Sequence, residues 1–130
     1  MSTLLAPEDF PSIYAAASAS YEAGDYEKAA LLFTSLTQSA PFEEAHWRGL
    51  ASSKQMLLDY EAALHAWSIV ALFNEQDPWV HFHAAECLLS FGQHSDARKA
   101  LDMADARLKD DDEELRDKIE LLRTIHIGQF

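Results

Sequence analysis

Residues 21–33 read YEAGDYEKAALLF, residues 55–67 read QMLLDYEAALHAW and residues 89–101 read LSFGQHSDARKAL. Each stretch begins 34 residues after the one before it. The same step relates four series: Gly24, Leu58 and Gly92; Tyr26, Tyr60 and His94; Ala29, Ala63 and Ala97; and Phe33, Trp67 and Leu101. An unbroken fixed period of this length marks stacked units, each burying a face against its neighbours. Within a unit, Gly24 and Gly92 fall where a first helix ends, a place that favours a left-handed residue. Asp25 and Asp59 follow as N-caps of second helices, whose exposed N–H groups a carboxylate can satisfy. Ala29, Ala63 and Ala97 are small where the two helices approach most closely. Phe33, Trp67 and Leu101 lie one turn further on and fill the space between units. Pro41 closes the first unit. Asp77-Pro78 opens the third with an N-cap and a proline at the first helical position.

Thirty-four residues is the period of the tetratricopeptide repeat (TPR), a helix–turn–helix unit. The predicted fold is therefore all-α: a superhelix of three repeats over 10–43, 44–77 and 78–111. A short N-terminal arm over 1–9 precedes them, and a capping helix and tail over 112–130 follow. The run Asp110 to Glu114 puts negative charge at the start of that last helix, where the helix dipole favours it. Leu115, Ile119, Leu122 and Ile125 or His126 form one apolar stripe at helical spacing. Such a helix gives a stack of repeats the polar outer end it needs.

The composition agrees and removes whole classes of function. Hydrophobic residues make up 48% of the 130-residue chain, enough for a core, while four Gly and four Pro leave few tight turns for an all-β fold. Twenty-two acidic residues against ten basic ones give a formal charge of -12. Nucleic-acid binding needs clustered Lys and Arg, so that class is excluded, and an anionic membrane surface would repel the chain. No apolar run is long enough for a transmembrane helix. Met1 to Phe10 lacks the basic and apolar regions of a signal peptide. Cys87 is the only cysteine, so no internal disulfide forms, and a cytosolic setting is expected.

In a stacked superhelix the first helices build the concave wall. The residues expected there are Tyr14, Ser18 and Tyr21; Ala45, Arg48, Gly49, Ser52 and Gln55; and Trp79, Phe82, His83, Glu86 and Leu89. Aromatic pockets among small and polar residues suit an extended peptide with spaced apolar anchors. Three buried anchors at about 1.5–3 kcal/mol each, less the cost of association, give roughly micromolar affinity. A mode that clamps a C-terminal carboxylate does not fit. Its positions carry Tyr14 and Ser18, Arg48 and Ser52, and Phe82 and Glu86, and Glu86 would repel a carboxylate.

Metal and catalytic chemistry find no support. His81, His83, Glu86 and Cys87 are metal-capable types, but on a helix His81 and His83 point about 200° apart. His83 with Glu86 or Cys87 supplies two ligands, short of a site. His83 is expected to hydrogen-bond in the groove and Cys87 to sit in the core. No phosphate-binding glycine loop or nucleophile motif is present, so neither catalytic residues nor a cofactor is expected.

The string Phe82-His83-Ala84-Ala85-Glu86-Cys87-Leu88, with Gly92 after it, resembles the third-repeat signature of the class II chaperones of bacterial type III secretion, the SycD/LcrH/IpgC group. Supporting matches are Tyr14 to Tyr21 with Gly24-Asp25-Tyr26-Glu27-Lys28-Ala29, Gly49-Leu50 with Gln55, Tyr60-Glu61 with Ala63-Leu64, and Ala71-Leu72. The resemblance covers about residues 10–105. It implies a cytoplasmic bacterial chaperone whose partners are hydrophobic translocator proteins. An extended client segment would lie in the groove against Tyr14, Tyr21, Gly49, Ser52, Phe82 and Ala85. Arg48, Gln55, Trp79, His83, Glu86 and Leu89 are secondary candidates. The arm before the first repeat is shorter than the helical arm this family often uses for dimer contacts; a homodimer remains compatible with the resemblance. The rival reading is a TPR adaptor or scaffold in a secretion or other multiprotein complex. On the groove reading, replacing Tyr14 and Phe82 by aspartate should abolish co-purification of the client without loss of fold.

Overall fold

The computed structural model describes residues 4–130, so the first residues of the predicted arm lie outside the described part. Seven α-helices follow a short 3₁₀ turn at Pro7–Asp9: α1 (Phe10–Glu22), α2 (Tyr26–Ser39), α3 (Glu44–Met56), α4 (Tyr60–Phe73), α5 (Pro78–Ser90), α6 (His94–Ala106) and α7 (Glu113–Ile125). Among the described residues there is no strand, and no helix is long and apolar enough to cross a membrane. The helices pair as helix–turn–helix units with α7 at the end, which is the all-α TPR arrangement.

The turns show why the period holds. After α1, Gly24 takes φ +82° and Asp25 N–H reaches back to the Ser20 carbonyl at 2.9 Å. After α5, Gly92 takes φ +74° and Gln93 N–H reaches the Leu88 carbonyl at 2.9 Å. Both close orphan carbonyls at the helix end with a left-handed residue. Leu58 occupies the same place after α3, with φ 63° and Asp59 N–H bonded to the Lys54 carbonyl at 2.9 Å. The turn motif thus survives without its glycine, at the expense of a strained leucine. Leu58 is 69% exposed, so its side chain gains little from packing. Relief of the left-handed strain outweighs the extra unfolded-state entropy of glycine, so Leu58→Gly should stabilise the fold by about 0.5–1 kcal/mol. Thermal melting checks this: a rise of roughly 2–5 °C is expected, and an unchanged or lowered midpoint would contradict it.

The caps form as the sequence predicts. Asp25 Oδ1 accepts from Lys28 N–H at 3.2 Å, Asp59 Oδ1 from Ala62 N–H at 3.3 Å and Asp77 Oδ1 from Trp79 N–H at 3.0 Å. Gln93 ahead of α6 makes no such bond.

Two compact units make up the chain, and the division falls inside α4, between Ile69 and Val70. In the first unit α1 packs on α2 and α2 on α3. Its core gathers Ala17, Ala29, Phe33 and Leu36, with Leu5, Phe10, Ile13, Tyr21, Leu32 and Leu50 against it. Leu5 N–H donates to Ser39 Oγ at 2.8 Å, which ties the described part of the arm to the end of α2. The Trp67 indole N–H donates to Gln55 Oε1 at 2.9 Å.

In the second unit α6 packs on α5 and α7 on α6. The core joins Phe82, Ala85, Ala100, Leu101, Ala104, Leu115 and Ile119. Leu115 and Ile119 of the predicted stripe are buried, whereas Ile125 is exposed. Arg123 on α7 donates to Asp102 and Asp105 on α6 at 2.8 Å each, fixing α7 along α6. Arg107 pairs with Glu75. The imidazole Nε2 of buried His81 lies 2.7 Å from the Glu75 carbonyl. Cys87 is fully buried, and burial pushes its thiol up to about 12, so it stays a protonated core group.

Candidate functional site

On α1, Tyr14, Ser18, Tyr21 and Glu22 share one face, because positions four and seven residues apart stack along a helix. On α3 the same logic lines up Ala45, Arg48, Gly49 and Ser52. The two rows and the Phe33 ring of α2 line a cavity of about 220 Å³ in the first unit. Gly49 is what makes it. A Cβ there would lie 2.2 Å from Phe33 Cε1 and 2.4 Å from Cζ, so only a glycine lets that ring reach the wall.

Aromatic edges set the cavity's character. The Tyr14 ring packs edge-on to Phe33, centroids 5.9 Å apart. Tyr21 packs against Tyr26 at 5.2 Å. Burial first, then the neighbouring Tyr26 and Glu22, raise the Tyr21 phenol above its ordinary value, so it stays an O–H donor. Arg48 is held by Glu44, Nη2 to Oε1 at 2.8 Å and Nε to the same oxygen at 2.9 Å. The cavity therefore has an aromatic wall, with hydroxyls, the Glu22 carboxylate and one paired guanidinium among its lining groups.

A second cavity of about 480 Å³ adjoins the first through two shared residues, Tyr14 and Ala45; its other walls are Phe10, Pro11, Ala40, Glu43 and His46. Tyr14, 38% exposed, stands between the two spaces.

Four of the six principal candidates, Tyr14, Tyr21, Gly49 and Ser52, thus meet in one place, joined by Arg48. Gln55 does not line that space; its carboxamide oxygen is held by Trp67. The second unit differs from this expectation. Phe82 and Ala85, expected on an open wall, lie in the core at 5% and 0% exposure, clustered with Leu101 of α6 and Leu115 and Ile119 of α7. The capping helix covers the position that in the first repeat stays open at Tyr14. Phe82 therefore cannot accept an aspartate without loss of fold. Trp79, His83, Glu86 and Leu89 remain half-buried. Trp79 stacks on His83 at 5.8 Å, and His83 Nδ1 lies 2.8 Å from Glu86 Oε1. Glu86 and Leu89, with Ser90, Leu122 and His126, line a separate depression of about 320 Å³.

Sequence reasoning missed Phe33 as a cavity wall and the whole of the second cavity. Phe33 sits in the interior series of the period, and nothing in that series says a ring edge will show past a glycine. Ala85 could have been found: Ala17, Ala51 and Ala85 form their own 34-residue series, and all three are 0% exposed.

Helix–turn–helix pairs at a 34-residue period, with an aromatic-walled cavity between successive first helices, define a protein of the TPR class. No family model matches the chain. It is 29% identical over 106 residues to low calcium response locus protein H of Yersinia pestis; the match takes in 82% of this chain and spans 63% of that relative's length. Among solved structures it matches the CopN–Scc3 complex at 31% identity and TM-score 0.83, over 92% of this chain and 71% of that one. It also matches the Yersinia enterocolitica type III secretion chaperone SycD in complex with a peptide of the translocator YopD, at 27% identity and TM-score 0.84, over 92% and 93% of the two chains. The chain belongs to the class II translocator chaperones of type III secretion, the SycD/LcrH group.

Proposed function

We propose that this protein is a cytoplasmic chaperone of type III secretion that holds an extended segment of a hydrophobic translocator. The carrying observation is the cavity between α1 and α3, where Tyr14, Tyr21 and Phe33 present aromatic edges, the Phe33 ring lying directly against Gly49. An aromatic wall with hydroxyls beside it suits apolar side chains on a backbone that keeps its own polar groups wet. A membrane-inserting client would aggregate in water, and covering part of its apolar surface prevents this without chemistry or nucleotide. The SycD relative supports the reading, since it holds a translocator peptide. The role asked of the chain is binding alone, so it needs neither cofactor nor catalytic group. The charge of -12 keeps the loaded chaperone soluble.

Tyr14→Asp tests this. The ring is partly exposed and its loss removes two aromatic contacts, which lowers stability by about 1–2 kcal/mol. Far-UV circular dichroism should therefore match the wild type. A charge in the cavity mouth should weaken the client by at least ~10-fold, because an apolar client side chain packed there would strip water from the carboxylate, and the one guanidinium at the edge is already held by Glu44. Co-expression with a translocator reads this as lost co-purification and lost soluble yield. Undiminished capture by Tyr14→Asp would place the client elsewhere.

A further inference from the structure

His46 on α3 is 5% exposed, and its Nδ1 is closed off from solvent with no hydrogen-bond partner. Its ring is fixed between Phe10, centroids 6.3 Å away and edge-on, and Tyr14, at 5.8 Å. It also lines the second cavity. A neutral imidazole carries one proton on one of its two nitrogens. A buried N–H with no acceptor costs more than a buried bare nitrogen that forgoes a weak interaction, so the proton belongs on Nε2. The ring then offers a donor to whatever occupies the cavity, and Nδ1 stays the bare nitrogen. Phe10, Tyr14, Ala40 and Ala45 make the remaining walls apolar, and Glu43 beside them disfavours a carboxylate as the acceptor. A neutral carbonyl flanked by an apolar side chain fits both conditions, and an extended peptide supplies that pair at every residue.

We propose that the second cavity of the first unit is a peptide-carbonyl site, in which the His46 Nε2–H donates to a backbone carbonyl of an extended apolar stretch of a partner polypeptide. This rests on the proposed chaperone function: the stretch continues from the first cavity across Tyr14 and Ala45, which line both spaces. His46 would then favour an extended client over a helical one, because a carbonyl already bonded within a helix is not free to accept from it.

The test uses the full chain labelled with ¹⁵N and the probe N-acetyl-leucine N-methylamide, an apolar side chain between two peptide groups. Imidazole ¹H–¹⁵N correlation spectra, with the His46 signals assigned through His46→Phe, should show a neutral ring protonated at Nε2. Adding the probe should move that Nε2 resonance saturably. His46→Phe keeps the aromatic packing and removes the donor; it should bind the probe about 3- to 10-fold more weakly. A proton on Nδ1, an Nε2 signal unmoved by the probe, or equal affinity in His46→Phe would each overturn the assignment. So would absence of binding up to the probe's solubility limit. None of these results bears on the Tyr14→Asp capture experiment, so failure of this site and failure of the chaperone reading are told apart.

Discussion

Replacing Phe82 by alanine should destabilise the protein by about 3–5 kcal/mol, the range for a buried phenylalanine whose site cannot collapse. The ring is 5% exposed and clusters with side chains of three helices, including Leu101 on α6 and Leu115 and Ile119 on α7. Two further features hold α7 along α6 and limit how far the gap can close: the Arg123 bonds to Asp102 and Asp105 and the burial of Leu115 and Ile119. Urea unfolding followed by far-UV circular dichroism measures the change, and a loss below ~1 kcal/mol would mean that Phe82 is not a core residue. Phe82→Asp should go further and unfold the second unit, since it leaves a carboxylate in an apolar cluster. Loss of client capture in that variant would therefore report unfolding and not contact.

Gly49→Val should cost about 3 kcal/mol, at the upper end of the usual range for overpacking. The first added atom alone would overlap the Phe33 ring at 2.2–2.5 Å. Phe33 is 3% exposed and packs with Ala17, Ala29 and Leu36, so it has little room to retreat. Helix propensity pulls the other way, since glycine is the weaker helix former by up to about 1 kcal/mol, but overlap with a buried ring outweighs it. Moving Phe33 also moves the Tyr14 ring against it, so client affinity should fall together with stability. Chemical denaturation and co-purification check the two halves. A Gly49→Val protein as stable as wild type would show that the close approach is not a constraint.

The 34-residue period made the architecture legible because it repeats packing roles. It identified Ala29, Ala63 and Ala97 and the Phe33, Trp67 and Leu101 series, all of which are buried. It also marked the left-handed turns at Gly24 and Gly92, and at Leu58 the structure keeps the same backbone without the glycine. The period assumes, however, that equivalent positions have equivalent surroundings. That assumption holds in the first repeat, where Tyr14 stays at the surface, and fails in the third, where Phe82 meets α7. The capping helix is not part of the repeat, so no comparison among repeats could reveal what it covers. His46 was missed for a related reason. It belongs to none of the four series, and its meaning comes from what it lacks, a partner for Nδ1, which only three-dimensional neighbours can show.

A client segment held in the space between α1 and α3 should perturb the backbone on both of its walls. An amide ¹H–¹⁵N titration of the labelled protein with a synthetic extended peptide carrying spaced leucine and proline side chains reads this directly. Ser18, Tyr21, Gly49 and Ser52 should shift together with one saturation curve, while exposed α7 amides such as that of Glu120 stay fixed. Shifts confined to α7, with the α1 and α3 amides unmoved in the saturated complex, would contradict this placement of the client.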